Sequence, residues 1–133
     1  MPFFALARDV ASAYGERLSP FAGAVDLGGG RSAVEAFGHT PRHTAVRVAS
    51  GTDQLLIKGD TAAIAAVQFA HPDAGIAFDA DGAQAAATRK AIFDMVATDR
   101  IAVAATHLPF PGVGEGWRFR VGSRALADSV TIT

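Results

Sequence analysis

The stretch TAVRVASGTDQLLIKGD, residues 44–60, constrains the fold most. Val46 and Val48 alternate with Arg47, GTD forms a turn, and QLLIK is a short apolar run rich in branched side chains. Alternation with period two on both sides of a short polar turn predicts a β-hairpin with Gly59 and Asp60 at its exit. A chain organised around such a hairpin must build a sheet and cover at least one of its faces.

The flanking segments supply further elements. Residues 4–18 place Phe4, Leu6, Val10, Ala13, Tyr14 and Leu18 at roughly helical spacing, and Ser19-Pro20 ends the pattern. DLGGG, ending at Gly30, reads as a flexible turn, and Ala33, Val34, Ala36 and Phe37 suggest a short strand after it. Residues 82–98 carry Ile92, Phe93, Met95 and Val96 on a helical period, with Asp81 or Gly82 as the start signal. RIAVAAT reads as a buried strand that delivers His107 into LPFPGVG, where prolines and glycines interrupt pairing. WRFRV, residues 117–121, predicts a last strand with one wet face. The order of helix, three strands, helix and two strands predicts an α/β (α+β) architecture, one mixed sheet covered by helices, in a single domain over residues 1–133.

Composition narrows the partners. Twelve basic and thirteen acidic residues leave a formal charge of −1 without a Lys/Arg cluster, so nucleic acid and anionic membrane are poor first expectations. Arg8, Asp9, Glu16 and Arg17 interrupt the opening segment, which reads as a helix of the mature protein, and no apolar run approaches the ~20 residues of a membrane span. The cellular compartment is left open. With no cysteine in the chain, a metal would have to be held by imidazole and carboxylate.

Three such side chains share a position type: His39 follows one predicted strand, Asp60 another and His107 a third. Strand ends along one sheet edge are where ligands converge. Imidazole and carboxylate together suit zinc or another first-row divalent ion. From the residues alone, hydrogen-bonded loop side chains are the favoured reading.

The blocks GHTPRHT from Gly38, LLIKGD ending at Asp60, AVQFAHPDAGIAFDAD over residues 66–81, and THLPFPGVG from Thr106 occur in a specific order. In that order the chain resembles the C-terminal half of the metallo-β-lactamase-fold hydrolases, most closely the branch that includes methyl parathion hydrolase and its lactonase-like relatives. The resemblance covers residues 5–121. It implies half of an αββα sandwich, with His39 on one metal, His107 on the other and Asp60 bridging both as the catalytic carboxylate. His43, the second histidine of the GHTxGH block, is implied to be a supporting hydrogen-bonding residue. His71 is implied to be a turn residue near the substrate pocket. Phe69, Phe110 and Trp117 read as core or pocket lining. Arg42 departs from the family's usual glycine, which would matter if the position required positive φ.

The family's HxHxDH block has no counterpart in this chain. The resemblance therefore implies a metal-dependent hydrolase of esters, lactones or organophosphates that is incomplete as a single chain. It would be completed in a homodimer or by a separately encoded N-terminal half, which would also cover the apolar sheet face. A reduced site of His39, Asp60, His107 and water on one ion is one alternative. A non-catalytic remnant, or a metal-binding or association module, is the other.

Overall fold

The computed structural model describes residues 2–115. Helix α1 (Pro2–Tyr14) continues into a 3-10 turn at Gly15–Arg17. Strands β1 (Val25–Gly28), β2 (Arg31–Glu35), β3 (Thr44–Ser50) and β4 (Asp53–Ile57) follow as an antiparallel meander. A 3-10 turn (Gly59–Thr61), the short helix α2 (Ala65–Gln68) and the long helix α3 (Gly82–Thr98) then cross over to β5 (Ala102–Ala104). β5 pairs parallel to β4, and β6 (Val113–Glu115) pairs antiparallel to β5. Among the described residues the sheet thus has six strands in sequential order and is mixed, as the hairpin and the helical crossover require.

Helix α3 spans the predicted residues, and its start is set by Asp81, whose side chain accepts a hydrogen bond from the Gln84 N–H at 2.9 Å. The register puts Val34, Ala45, Leu56 and Val103 on one sheet face. Ile92, Phe93 and Val96 of α3 join Ala45, Leu56 and Val103 in the core on that side, with Ile101 and Phe69. The register also aligns Val25, Ala33, Val46, Ile57, Ala104 and Val113, one residue per strand, across the opposite face. Ile57 remains 43% and Val113 47% exposed in that apolar row.

Three expectations change. DLGGG is not only a turn, since Val25–Gly28 forms edge strand β1, and only the glycines after it turn the chain. The chain resumes pairing at Val113, inside the stretch expected to stay unpaired, while the WRFRV segment lies outside the described residues. Helix α1 forms, but Phe4, Leu6, Val10 and Tyr14 are all exposed, so its apolar face does not join the core.

One buried charge gives stability a pH dependence in the alkaline range. Lys58 is fully buried and donates from Nζ to the carbonyl oxygens of Ala62 at 2.6 Å and Gly59 at 3.2 Å. Desolvation lowers its pKa from 10.5 to about 8, against the pull of Asp60. Below pH 8 the ammonium exists in both folded and unfolded chains, and the full cost of burying it is present. Between pH 8 and 10.5 the unfolded chain holds more protons, so stability rises with pH by up to about 3 kcal/mol. Urea unfolding of metal-free protein across this window is expected to show the rise, and Lys58→Met is expected to flatten it.

Candidate metal centre

The topology explains why three distant residues meet. β2 and β4 both run antiparallel to β3, and β5 runs parallel to β4, so the carboxyl ends of β2, β4 and β5 lie along one sheet edge. His39 sits in the loop after β2, Asp60 in the turn after β4, and His107 in the loop after β5. His107 Nε2 lies 3.0 Å from Asp60 Oδ1, and His39 Nε2 lies 3.6 Å from Asp60 Oδ2. The carboxylate therefore stands between two imidazoles, one facing each oxygen. The Asp60 and His107 side chains are 38% and 48% exposed, whereas that of His39 is 16% exposed. The edge is thus open to solvent on the His107 side.

Other residues fix these donors. His43 Nδ1 donates to the Ala36 carbonyl at 3.1 Å, which leaves Nε2 to accept the Asp60 backbone N–H at 3.0 Å. Desolvation by burial lowers the His43 pKa, which favours this neutral, bridging form over the cation. Gly59 adopts φ +55°, and a Cβ there would lie 2.7 Å from His43 Nε2, so glycine is what allows the imidazole to sit beneath the Asp60 turn. On the other side, His39 Nδ1 lies 3.0 Å from Oδ1 of Asp79, whose side chain is 1% exposed. Asp79 Oδ2 accepts the Ile76 N–H at 3.1 Å and lies 3.8 Å from Arg89 Nη2. Ala80 N–H donates to the His39 carbonyl at 3.0 Å and Asp81 N–H to the Gly38 carbonyl at 2.9 Å, lacing the His39 loop to the start of α3.

The remaining sequence expectations sort out physically. Arg42 is not strained, because Arg100 is the non-glycine residue with positive φ among the described residues. His71 is exposed in the turn after α2, where its carbonyl accepts from Ala74 N–H. Phe69 is core, Phe110 is 87% exposed, and Trp117 lies outside the described residues. Asp79 and Arg89 were not singled out by sequence. The available signal was an acidic residue in the otherwise apolar GIAFDA run and an arginine on the apolar stripe of α3.

Among solved structures, the chain aligns with AidC, a dizinc quorum-quenching lactonase, over 80% of its own length at 29% identity and a TM-score of 0.72. It aligns with hydrolase AbOPH of the β-lactamase superfamily over 68% of its length at 33% identity and a TM-score of 0.64. A probable metal-dependent hydrolase from Staphylococcus aureus shares the fold at 17% identity over 69% of the chain, with a TM-score of 0.62. The chain carries part of the metallo-β-lactamase fold. It spans 36%, 31% and 32% of those three proteins' lengths. No protein-family model and no curated protein matches the sequence.

AidC is a dizinc lactonase, and zinc sets a definite spacing for its donors. Ligand atoms around a tetrahedral zinc with bonds of 2.0–2.2 Å stand about 3.4 Å apart. Both imidazole–carboxylate separations, 3.0 and 3.6 Å, are close to that spacing. The donor types and spacing fit. The count does not reach closure: among the described residues no group of three His, Asp or Glu side chains is arranged to hold one ion. The two imidazoles face different oxygens of Asp60.

Proposed function

We propose that this protein is a metal-dependent hydrolase of the metallo-β-lactamase fold, with this chain corresponding to the C-terminal half of the fold. The chain contributes His39, His107 and a bridging Asp60. The observation that carries the reading is the Asp60 carboxylate between two imidazoles. If His39 Nδ1 donates to Asp79, then Nε2 turns a lone pair toward Asp60 Oδ2 3.6 Å away, an arrangement of two acceptors that a shared cation would stabilise. A divalent ion bound there would supply a water of pKa near ~7 and polarise a carbonyl or phosphoryl oxygen. The chain's own part is to hold the donors, with Asp60 fixed through its backbone by His43 and His39 through Asp79.

Esters, lactones and organophosphates are the proposed substrate classes, in the branch of methyl parathion hydrolase and the lactonases. AidC, described as a lactonase, supports the lactone. With two donors per ion, further ligands come from other residues, in a further segment of the protein, a second polypeptide or a second copy. The apolar row from Val25 to Val113 on the face opposite α3 supports such a partner.

The test is metal analysis by mass spectrometry, then hydrolysis of p-nitrophenyl esters, N-acyl homoserine lactones and methyl parathion with zinc, manganese or cobalt, for the chain alone and in its native assembly. Metal-dependent turnover that is lost in His39→Ala supports the reading, and unchanged turnover in that variant overturns the site. A second reading, a non-catalytic association module, is favoured by the lack of a closed three-donor group among the described residues. It predicts no bound metal in any assembly.

A further inference from the structure

The group behind His39 is an unusual one to bury. Asp79 and Arg89 each have side chains 1% exposed. Burying such a pair is stabilising only when nearly every donor and acceptor is satisfied, and otherwise hydrophobic residues of similar volume would serve stability better. Here the guanidinium is held chiefly by backbone carbonyls. Arg89 donates through Nε to the Thr61 carbonyl at 2.7 Å and through Nη1 to the carbonyls of Pro72 at 2.6 Å and Ala74 at 2.9 Å. Its remaining nitrogen, Nη2, faces Asp79 Oδ2, which also takes the Ile76 N–H. The other oxygen, Oδ1, is left for a single partner, His39 Nδ1 at 3.0 Å.

We propose that Asp79, clamped by Arg89, is a positioning residue that holds His39 as the Nδ1–H tautomer and so presents a bare Nε2 toward Asp60. The inference rests on the reading of His39 as a metal-facing group, but its physical content is a tautomer that exists without metal. The geometry assigns that tautomer: a carboxylate only accepts, so the ring nitrogen facing it must carry the proton. The same guanidinium binds the carbonyl of Thr61, the residue after Asp60, so one side chain on α3 braces both the His39 loop and the Asp60 turn. An orienting carboxylate of this kind fixes the ring and the tautomer of a ligating histidine.

The decisive variant is Asp79→Asn. Ile76 N–H donates to the Oδ2 position and the Arg89 guanidinium lies 3.8 Å from it, so the amide oxygen is retained there and the NH2 group turns toward His39. A donor facing Nδ1 selects the Nε2–H tautomer, which removes the lone pair that would meet a cation. Long-range 1H–15N NMR of the ring nitrogens in metal-free protein, at a pH where the imidazole is neutral, reads the tautomer directly. The expected result is Nδ1–H in the parent and Nε2–H in Asp79→Asn, with amide dispersion preserved. An Nε2–H tautomer in the parent, or an unchanged Nδ1–H tautomer in the variant, overturns the proposal.

Zinc titration of the native assembly adds a second readout, with an expected loss of about 10–100-fold in affinity for Asp79→Asn. Equal affinity of parent and variant overturns the positioning role. If the parent assembly binds no zinc, the metal reading fails, while the tautomer result still decides for or against the Asp79 assignment.

Discussion

Asp60→Ala is expected to abolish metal binding in the assembled protein and, with it, any hydrolysis, while leaving the fold in place. Both imidazole Nε2 atoms face this one carboxylate, so its removal takes a donor from each side of the site at once. Loss of an outer partner of a metal ligand costs about 10–100-fold in affinity, so loss of the shared donor itself should exceed about 100-fold. Stability should change little, because the side chain is 38% exposed and the backbone N–H that His43 accepts is retained. Metal content per chain and the melting temperature are the two measurements. A variant that binds metal as the parent does would place the ions elsewhere, and one that unfolds would give the carboxylate a structural role.

Gly38→Ala is expected to cost at least about 3 kcal/mol and lower the melting temperature by about 10 °C or more. Gly38 has φ +125°, a conformation that residues with a Cβ rarely adopt. The clash is more severe than the strain: a Cβ at this position would lie 2.2 Å from Ala85 N and 2.4 Å from Ala85 Cα, both backbone atoms of α3. Neither is the end of a flexible side chain, so the loop and the helix would have to separate. Separation breaks the Asp81 N–H to Gly38 carbonyl and Ala80 N–H to His39 carbonyl bonds, and moves His39 away from Asp79. Thermal unfolding and the His39 ring resonances should therefore change together. A melting temperature within about 2 °C of the parent would show that the approach can relax at little cost.

Helix α3 and the β3–β4 hairpin could be read from sequence because each is specified locally, by an N-cap and helical period in one and by alternation around a short turn in the other. β1 was missed because a four-residue edge strand takes its form from pairing with β2 and has little pattern of its own. The helical period of α1 was also legible, but period alone does not say what the apolar face meets, and here Phe4, Leu6, Val10 and Tyr14 stay exposed. His39, Asp60 and His107 could be nominated because each follows a strand and carries a family-like block. Asp79 was not, since its burial depends on a partner 40 residues earlier in the chain.

By itself the sequence determined helix α3 and the β3–β4 hairpin, the chemistry available to a site without cysteine, and the positions where loops would carry imidazole and carboxylate. Only the tertiary structure decided that β2, β4 and β5 end on one edge, that Asp60 stands between two imidazoles, and that Arg89 and Asp79 stand behind His39. The reason is range. Propensity and periodicity act over a few residues, whereas strand direction, desolvation and the satisfaction of buried polar groups are set by segments far apart in the chain.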